Sequence, residues 1–175
     1  VELFQISQLQ AEKGNQSGQK DLLKQSIKNF EEALVYNPRL VEAQSNIGFA
    51  HLTLKQEGKA IKAFNVALEI DPYHLNSING LSTAHALDGN IDEAVTLFDK
   101  LVVLEPSNPE YLFNKGSVLQ RAGRFEDAIE SYEAVLKIDS KYQRALFNMA
   151  TLHQNLGRYD KAKAFYEKAK GINIS

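Results

Sequence analysis

Three of the four histidines, His51, His85 and His153, stand at multiples of 34 residues from one another, and imidazole is a common metal ligand. A ladder of this kind binds metal only if two rings can reach one ion. Packed helices lie about 8–10 Å apart, whereas an ion needs donors at roughly 2 Å, so imidazoles one repeat apart cannot share it. Packing is the expected role, with no metal and no cofactor. The asparagines suggest other chemistry. Asn46, Asn114 and Asn148 recur in the same register, and Asn79 stands one residue before Gly80, which interrupts the row. An amide offers both donor and acceptor, so a row of them could hold an extended backbone with little regard to its sequence. Phe113 and Phe147, with Phe49 beside them, would supply apolar contacts, and Arg121 and Arg144 could grip a carboxylate. These residues form a candidate peptide-binding set.

Catalysis is not expected. No Ser, His and acid arrangement has motif context, and no glycine-rich phosphate loop appears. Carboxylates such as Glu31, Glu32, Glu93, Glu126 and Asp127 fall on solvated helix ends.

The interval itself identifies the elements that position these side chains. Ala60, Phe64, Ala67 and Pro72 set a pattern, and 34 residues on stand Ala94 and Phe98. Further steps give Ala128 and Tyr132, then Ala162 and Tyr166, while one step back gives Ser26, Phe30, Ala33 and Pro38. A fixed period of this length marks a repeat array. Gly48, Ser82, Gly116 and Ala150 precede the alanines by twelve residues, and Gly89, Gly123 and Gly157 precede theirs by five. This constellation resembles the tetratricopeptide repeat. The resemblance covers nearly everything from Asp21 onward and implies an all-α solenoid. About five stacked helix–turn–helix units would form a right-handed superhelix with a concave peptide-binding groove. The repeats would fall near 1–40 (degenerate, with a loop insertion), 41–74, 75–108, 109–142 and 143–175, as one array. Departures from the pattern are Lys55 at a turn-glycine position, Leu101 and Val135 at the second small position, and Ser140 and Ile174 where Pro is usual.

Composition fits a soluble scaffold. Apolar residues make up 43%, charged residues 24%, and the net charge is −2, so no broad field attracts nucleic acid or anionic lipid. No apolar run approaches the ~18–20 residues that span a bilayer, and no signal-peptide pattern appears. Cysteine is absent, which excludes disulfides and thiolate metal sites but does not decide the compartment; the cytoplasm is favoured. A chain that opens at Val1 and stops inside its fifth repeat is expected to be a fragment or a processed form.

Leu3, Phe4, Ile6 and Leu9 could stripe a first helix, followed by a loop over Gly14–Gly18 and an amphipathic helix over Asp21–Tyr36. Beyond Pro38 the pattern predicts first helices near 41–54, 75–87, 109–121 and 142–155. Their partners are predicted near 58–70, 91–104, 125–138 and 159–170. Ser107 with Glu110, and Ser140 with Gln143, fit capping boxes, and Pro109 suits a first turn. Helices this short are marginal alone, so stacking must stabilise them.

With Gly48, Ser82, Gly116 and Ala150 as position eight, winding at about 100° per residue puts positions four, seven, eight and eleven toward the partner helix. Positions two, five, six, nine, twelve and thirteen lie opposite; by the resemblance that surface lines the groove. It holds Ser45, Asn46 and Phe49, then Asn79 and Gly80, then Phe113, Asn114 and Arg121, then Arg144, Phe147 and Asn148. One branch of the family clamps acid-ended chaperone tails with Lys, Asn, Asn, Lys and Arg. Here the matching positions hold Asn79, Thr83, Asn114, Arg144 and Asn148, so that ligand is disfavoured. The expectation is a non-catalytic interaction scaffold capturing an extended segment or partner helix. The alternatives are a substrate-recruiting domain of a larger enzyme such as a glycosyltransferase, and a scaffold that self-assembles through its ends.

Overall fold

A computed structural model describes residues 16–171, and every regular element within them is an α-helix. They are α1 (Gln16–Tyr36), α2 (Val41–Thr53), α3 (Glu57–Ile70), α4 (Leu75–Asp88), α5 (Ile91–Leu104), α6 (Pro109–Arg121), α7 (Phe125–Ile138), α8 (Gln143–Asn155) and α9 (Tyr159–Gly171). From α2 onward the predicted boundaries hold to within a residue. The predicted Leu3–Leu9 helix and Ile174 lie outside the described residues. So do the first residues of the predicted Gly14–Gly18 loop, but Gln16–Gly18 form the first turn of α1, which starts earlier than periodicity suggested.

The chain divides into two compact units, one ending at Asn90 and the other starting at Ile91. In the first, Leu23, Ile27, Ile47, Ala50 and Ala63 form a core with Phe30, Leu34 and Leu54 packed on it. In the second, Phe113, Leu119, Ala128, Ile129, Tyr132, Val135, Ala145, Met149 and Leu152 do so. The period-defining alanines Ala60, Ala94, Ala128 and Ala162 are all buried.

Within each pair the turn closes the same way. The amides of Gln56, Asn90, Arg124 and Arg158 donate to carbonyls five residues back, at His51, His85, Leu119 and His153, over 2.8–2.9 Å. This is the Schellman closure, which needs a left-handed residue just before the donor. Gly89, Gly123 and Gly157 supply it with φ of 89°, 77° and 71°; in the first unit Lys55 does the same at 56°. Two histidines of the ladder brace these turns: His51 Nδ1 lies 2.8 Å from Gln56 Oε1, and His85 Nδ1 3.4 Å from Asn90 Nδ2. His153 instead is buried and stacked on Phe165.

Between pairs, the capping boxes do not form as predicted. Asn108, not Ser107, caps α6 by accepting from the Glu110 amide, with Pro109 in the first turn. α8 begins after Tyr142 with no side-chain cap. Its entry turn is closed one residue before Ser140, where Asp139 Oδ1 accepts from the Lys141 amide at 2.9 Å. Asp71 and Asn37 make the same bond to Tyr73 and Arg39. An acceptor side chain that bonds its own backbone two residues on sets such a turn whether or not Pro follows, which explains why Ser140 replaces Pro without losing it.

Candidate protein-interaction site

The first helix of each pair presents position two to solvent as predicted, at Glu42, Asn76, Glu110 and Arg144. Position five departs from the prediction. Ser45 is buried at 1% exposure and Phe113 at 6%, while Phe147 is 56% exposed. Winding about a single helix axis places these residues alike; stacking separates them. Phe113 is covered from the following pair by the Tyr142 ring at 5.4 Å and by the Arg144 guanidinium 4.0 Å above its face. It is therefore a core residue with one edge on the site, not an exposed platform.

In the second unit α6, α8 and α9 line an open cavity of about 540 Å³ bordered by Phe113, Gln143, Arg144, Phe147, Asn148, Tyr166, Ala169 and Lys170. Four of the predicted residues thus converge. Phe147 meets Tyr166 edge-on at 5.7 Å, repeating the Phe113–Tyr132 contact at 5.5 Å. Asn148 Nδ2 donates to the Tyr132 hydroxyl at 2.9 Å, and that hydroxyl donates to Gln120 Oε1 at 2.9 Å. The amide therefore ties helices together and keeps its acceptor oxygen for other contacts. Arg144 Nη1 lies 3.2 Å from Glu110 Oε2, and the Tyr142 hydroxyl bonds the same carboxylate. Burial, with the Glu110 carboxylate beside it, pushes the Tyr142 hydroxyl up to about 12, so it stays a donor. Burial also raises the Tyr132 hydroxyl, although Asn148 and Ser117 oppose the shift.

The other predicted residues lie elsewhere. Asn114 is half-buried, and Arg121 is exposed at the last residue of α6; neither lines this cavity. Asn46, Phe49 and Asn79 belong to the first unit. Phe49 packs edge-on against Phe64 at 5.0 Å. The Asn79 side-chain oxygen is buried without a hydrogen-bond partner among the described residues. Gly80 interrupts the asparagine row for a packing reason: a Cβ there would lie 2.3 Å from Phe64 Cζ.

Sequence reasoning missed the hydroxyls of Tyr132, Tyr142 and Tyr166, and Lys170. The signal was present for the first and third, since Tyr replaces Phe at the repeat aromatic only at positions 132 and 166. A second cavity of about 600 Å³ shares Phe147, Tyr166 and Lys170 and extends over Tyr159, Ala162 and Lys163 on the outer flank of α9. Among the described residues no group of His, Cys, Asp and Glu could hold a metal, and no helix is long and apolar enough to cross a membrane.

Comparison with curated proteins finds no match. Among solved structures, MamA aligns at 20% identity over 96% of this chain and 94% of its own, with a TM-score of 0.76. MamA from Desulfovibrio magneticus RS-1 aligns at 15% identity over 98% and 93%, with a TM-score of 0.74. YrrB, described as a TPR protein with an unusual peptide-binding site, aligns at 18% identity over 98% and 85%, with a TM-score of 0.70. At these identities the likeness is one of fold. One tetratricopeptide-repeat family model matches residues 21–74 and 80–142, and a second matches 119–173. With its 34-residue period, its paired helices and these matches, the chain belongs to the tetratricopeptide repeat family.

Proposed function

We propose that this protein is a non-catalytic interaction scaffold that captures a segment of another protein at the α6/α8/α9 cavity. The observation that carries the reading is the convergence there of an exposed aromatic, Phe147, with the polar groups of Arg144, Asn148 and Lys170 around one apolar floor. An apolar cavity with a few convergent polar groups is the usual form of a recognition site, and exposed aromatics are frequent binding anchors. The peptide-binding description carried by YrrB supports the same reading. Phe147 supplies the apolar anchor, Arg144 and Lys170 flank it with positive charge, and Asn148 offers its free carbonyl oxygen.

The test is photo-crosslinking in cell extract with a benzophenone side chain placed at Phe147 or, as control, at Arg121. Partners captured from position 147, absent from position 121 and lost on Arg144→Glu in a chain of unchanged helicity support the site. Capture that is equal from both positions moves the binding surface elsewhere.

A further inference from the structure

A groove recurs between the second helix of one pair and the inner turn of the next, and its charges differ between the two units. In the second unit a cavity of about 340 Å³ is lined by Val95 of α5, Leu119 of α6, and Arg124 and Asp127 where α7 begins. In the first unit a cavity of about 520 Å³ is lined by the residues two repeats earlier, Ile27, His51, Gln56 and Lys59. Ion pairs tie the second groove at both ends. Arg124 bonds Asp92 of α5 and Asp127 of α7, each at 2.7 Å, and Lys115 of α6 bonds Asp99 of α5 at 2.6 Å. Neither tie can form in the first unit. Lys24 and Lys59 stand where Asp92 and Asp127 stand, and Gln56 replaces Arg124. Ile47 replaces Lys115, which leaves Glu31, the counterpart of Asp99, without its cation. Gln56 turns its Oε1 to His51 Nδ1 at 2.8 Å. Lys24 meets only Asp21 of its own helix among the described residues, at 3.6 Å, with both side chains mostly exposed.

We propose that the first-unit groove docks a segment of a partner protein that presents a carboxylate to Lys24 and Lys59 and a cation to Glu31. Charge complementarity sets the occupant. Where the second unit places one cation between two carboxylates, the first offers two cations with a neutral amide between them, so the bridging group is an anion. Glu31 lies two turns further along α1, about 10 Å away, and keeps the sign of Asp99, so it takes a cation. Buried Ile27 and half-buried Leu54 floor the space between. Two lysines alone would suit a phosphate chain equally well, but the Glu31 carboxylate repels a polyanion, and a protein segment carrying both signs fits the whole groove. This surface shares no residue with the α6/α8/α9 cavity and stands or falls independently of it.

The test is a titration of the intact, nitrogen-15-labelled chain with short synthetic peptides, followed by amide chemical shifts. Each peptide carries a Leu-Ala centre between two charged residues: Glu and Lys, Glu and Glu, or Lys and Lys. Three residues of extended chain set those charges about 10 Å apart. The mixed peptide should shift the amides of residues 24–31 and 56–59 saturably and bind at least about threefold more tightly than either other peptide at low salt. Glu31→Lys should move the preference to the two-acid peptide, and Lys24→Glu with Lys59→Glu should move it to the two-base peptide. All three side chains are exposed, so circular dichroism should be unchanged. No saturable shifts, or shifts confined to other residues, overturn the groove as a docking surface. Peptide preferences that ignore both charge variants overturn the pairing. A wild-type preference for the two-acid peptide, with the same amides moved by oligouridylate or by vesicles of anionic lipid, overturns the protein segment in favour of a polyanion.

Discussion

Phe64 in the first unit and Tyr132 in the second fill the same repeat position, yet their seats are built differently. Both rings are fully buried, and each lies against the position-eight glycine of its own pair, so that a Cβ at Gly48 or Gly116 would come within 2.6 Å or 2.7 Å of the ring. The difference is at position six of the following pair. Phe64 meets a second glycine, Gly80; Tyr132 meets Asn148, whose amide donates to its hydroxyl. At these two seats the ring without a hydroxyl is met by close backbone approach, and the one with a hydroxyl by a hydrogen bond across the seam. Asn148 is therefore partly a seam device, whereas Asn46 and Asn114 follow Phe30 and Phe98, which have no hydroxyl to receive such a bond.

The sharpest way to break this comparison is Gly80→Asn, which grafts the polar seat onto the apolar ring. With Phe64 wholly buried and a Cβ placed 2.3 Å from it, overpacking should cost about 2–3 kcal/mol, read as a lower midpoint in urea. An unchanged midpoint would mean that the ring has room to move. The reciprocal change, Tyr132→Phe, removes the hydroxyl between Gln120 and Asn148. A loss of about 1 kcal/mol is expected, and Asn148→Ala should add little once the hydroxyl is gone, which a double-mutant cycle measures.

A smaller effect sharpens the contrast between turns. Lys55 takes the left-handed conformation at φ 56° that Gly123 and Gly157 occupy in the second unit. Lys55→Gly should relieve that strain, partly offset by unfolded-chain entropy, for a net gain of up to about 1 kcal/mol. No gain would show that the lysine side chain compensates.

The smallest expected effect depends on pH. His153 is buried and stacked on Phe165, and its Nδ1 has no hydrogen-bond partner among the described residues. Burial first, then Lys161 and Arg158, hold its pKa below the ordinary value. The folded chain thus binds the proton less readily than the unfolded chain. Stability should be full above the unfolded value near 6.5 and fall as pH drops through it toward the lower folded value. His51 and His85, which stand at the equivalent turns, have bonded rings. His153→Gln should flatten the decline between pH 7 and 5; an unchanged slope would assign it to other groups.

Much of the fold was legible because period and residue size report on packing directly. Ala60, Ala94 and Ala128 recur where backbones must come close, and all three are fully buried. The Gly89, Gly123 and Gly157 turns were readable because few residues adopt a positive φ. The capping boxes at Ser107 and Ser140 were misread, since Asn108 and Asp139 compete for the same local backbone bonds and hold them. Of the candidate set, Arg144, Phe147 and Asn148 line one cavity, and Phe113, expected to be exposed, is buried. Its counterpart by sequence is Phe147, and no periodic rule distinguishes the two.

By itself the sequence determined the repeat unit, the helix boundaries and which face of each helix meets its own partner, because those depend on contacts within about one period. Only the tertiary structure decided which residues of the opposite face remain open. That depends on what the next pair lays over them: Tyr142 and Arg144 seal Phe113, and the Asn148 Nδ2 donor is spent on the Tyr132 hydroxyl, which leaves its oxygen as the group on offer. Burial at a stacking seam belongs to two repeats at once, so one-helix periodicity cannot specify it.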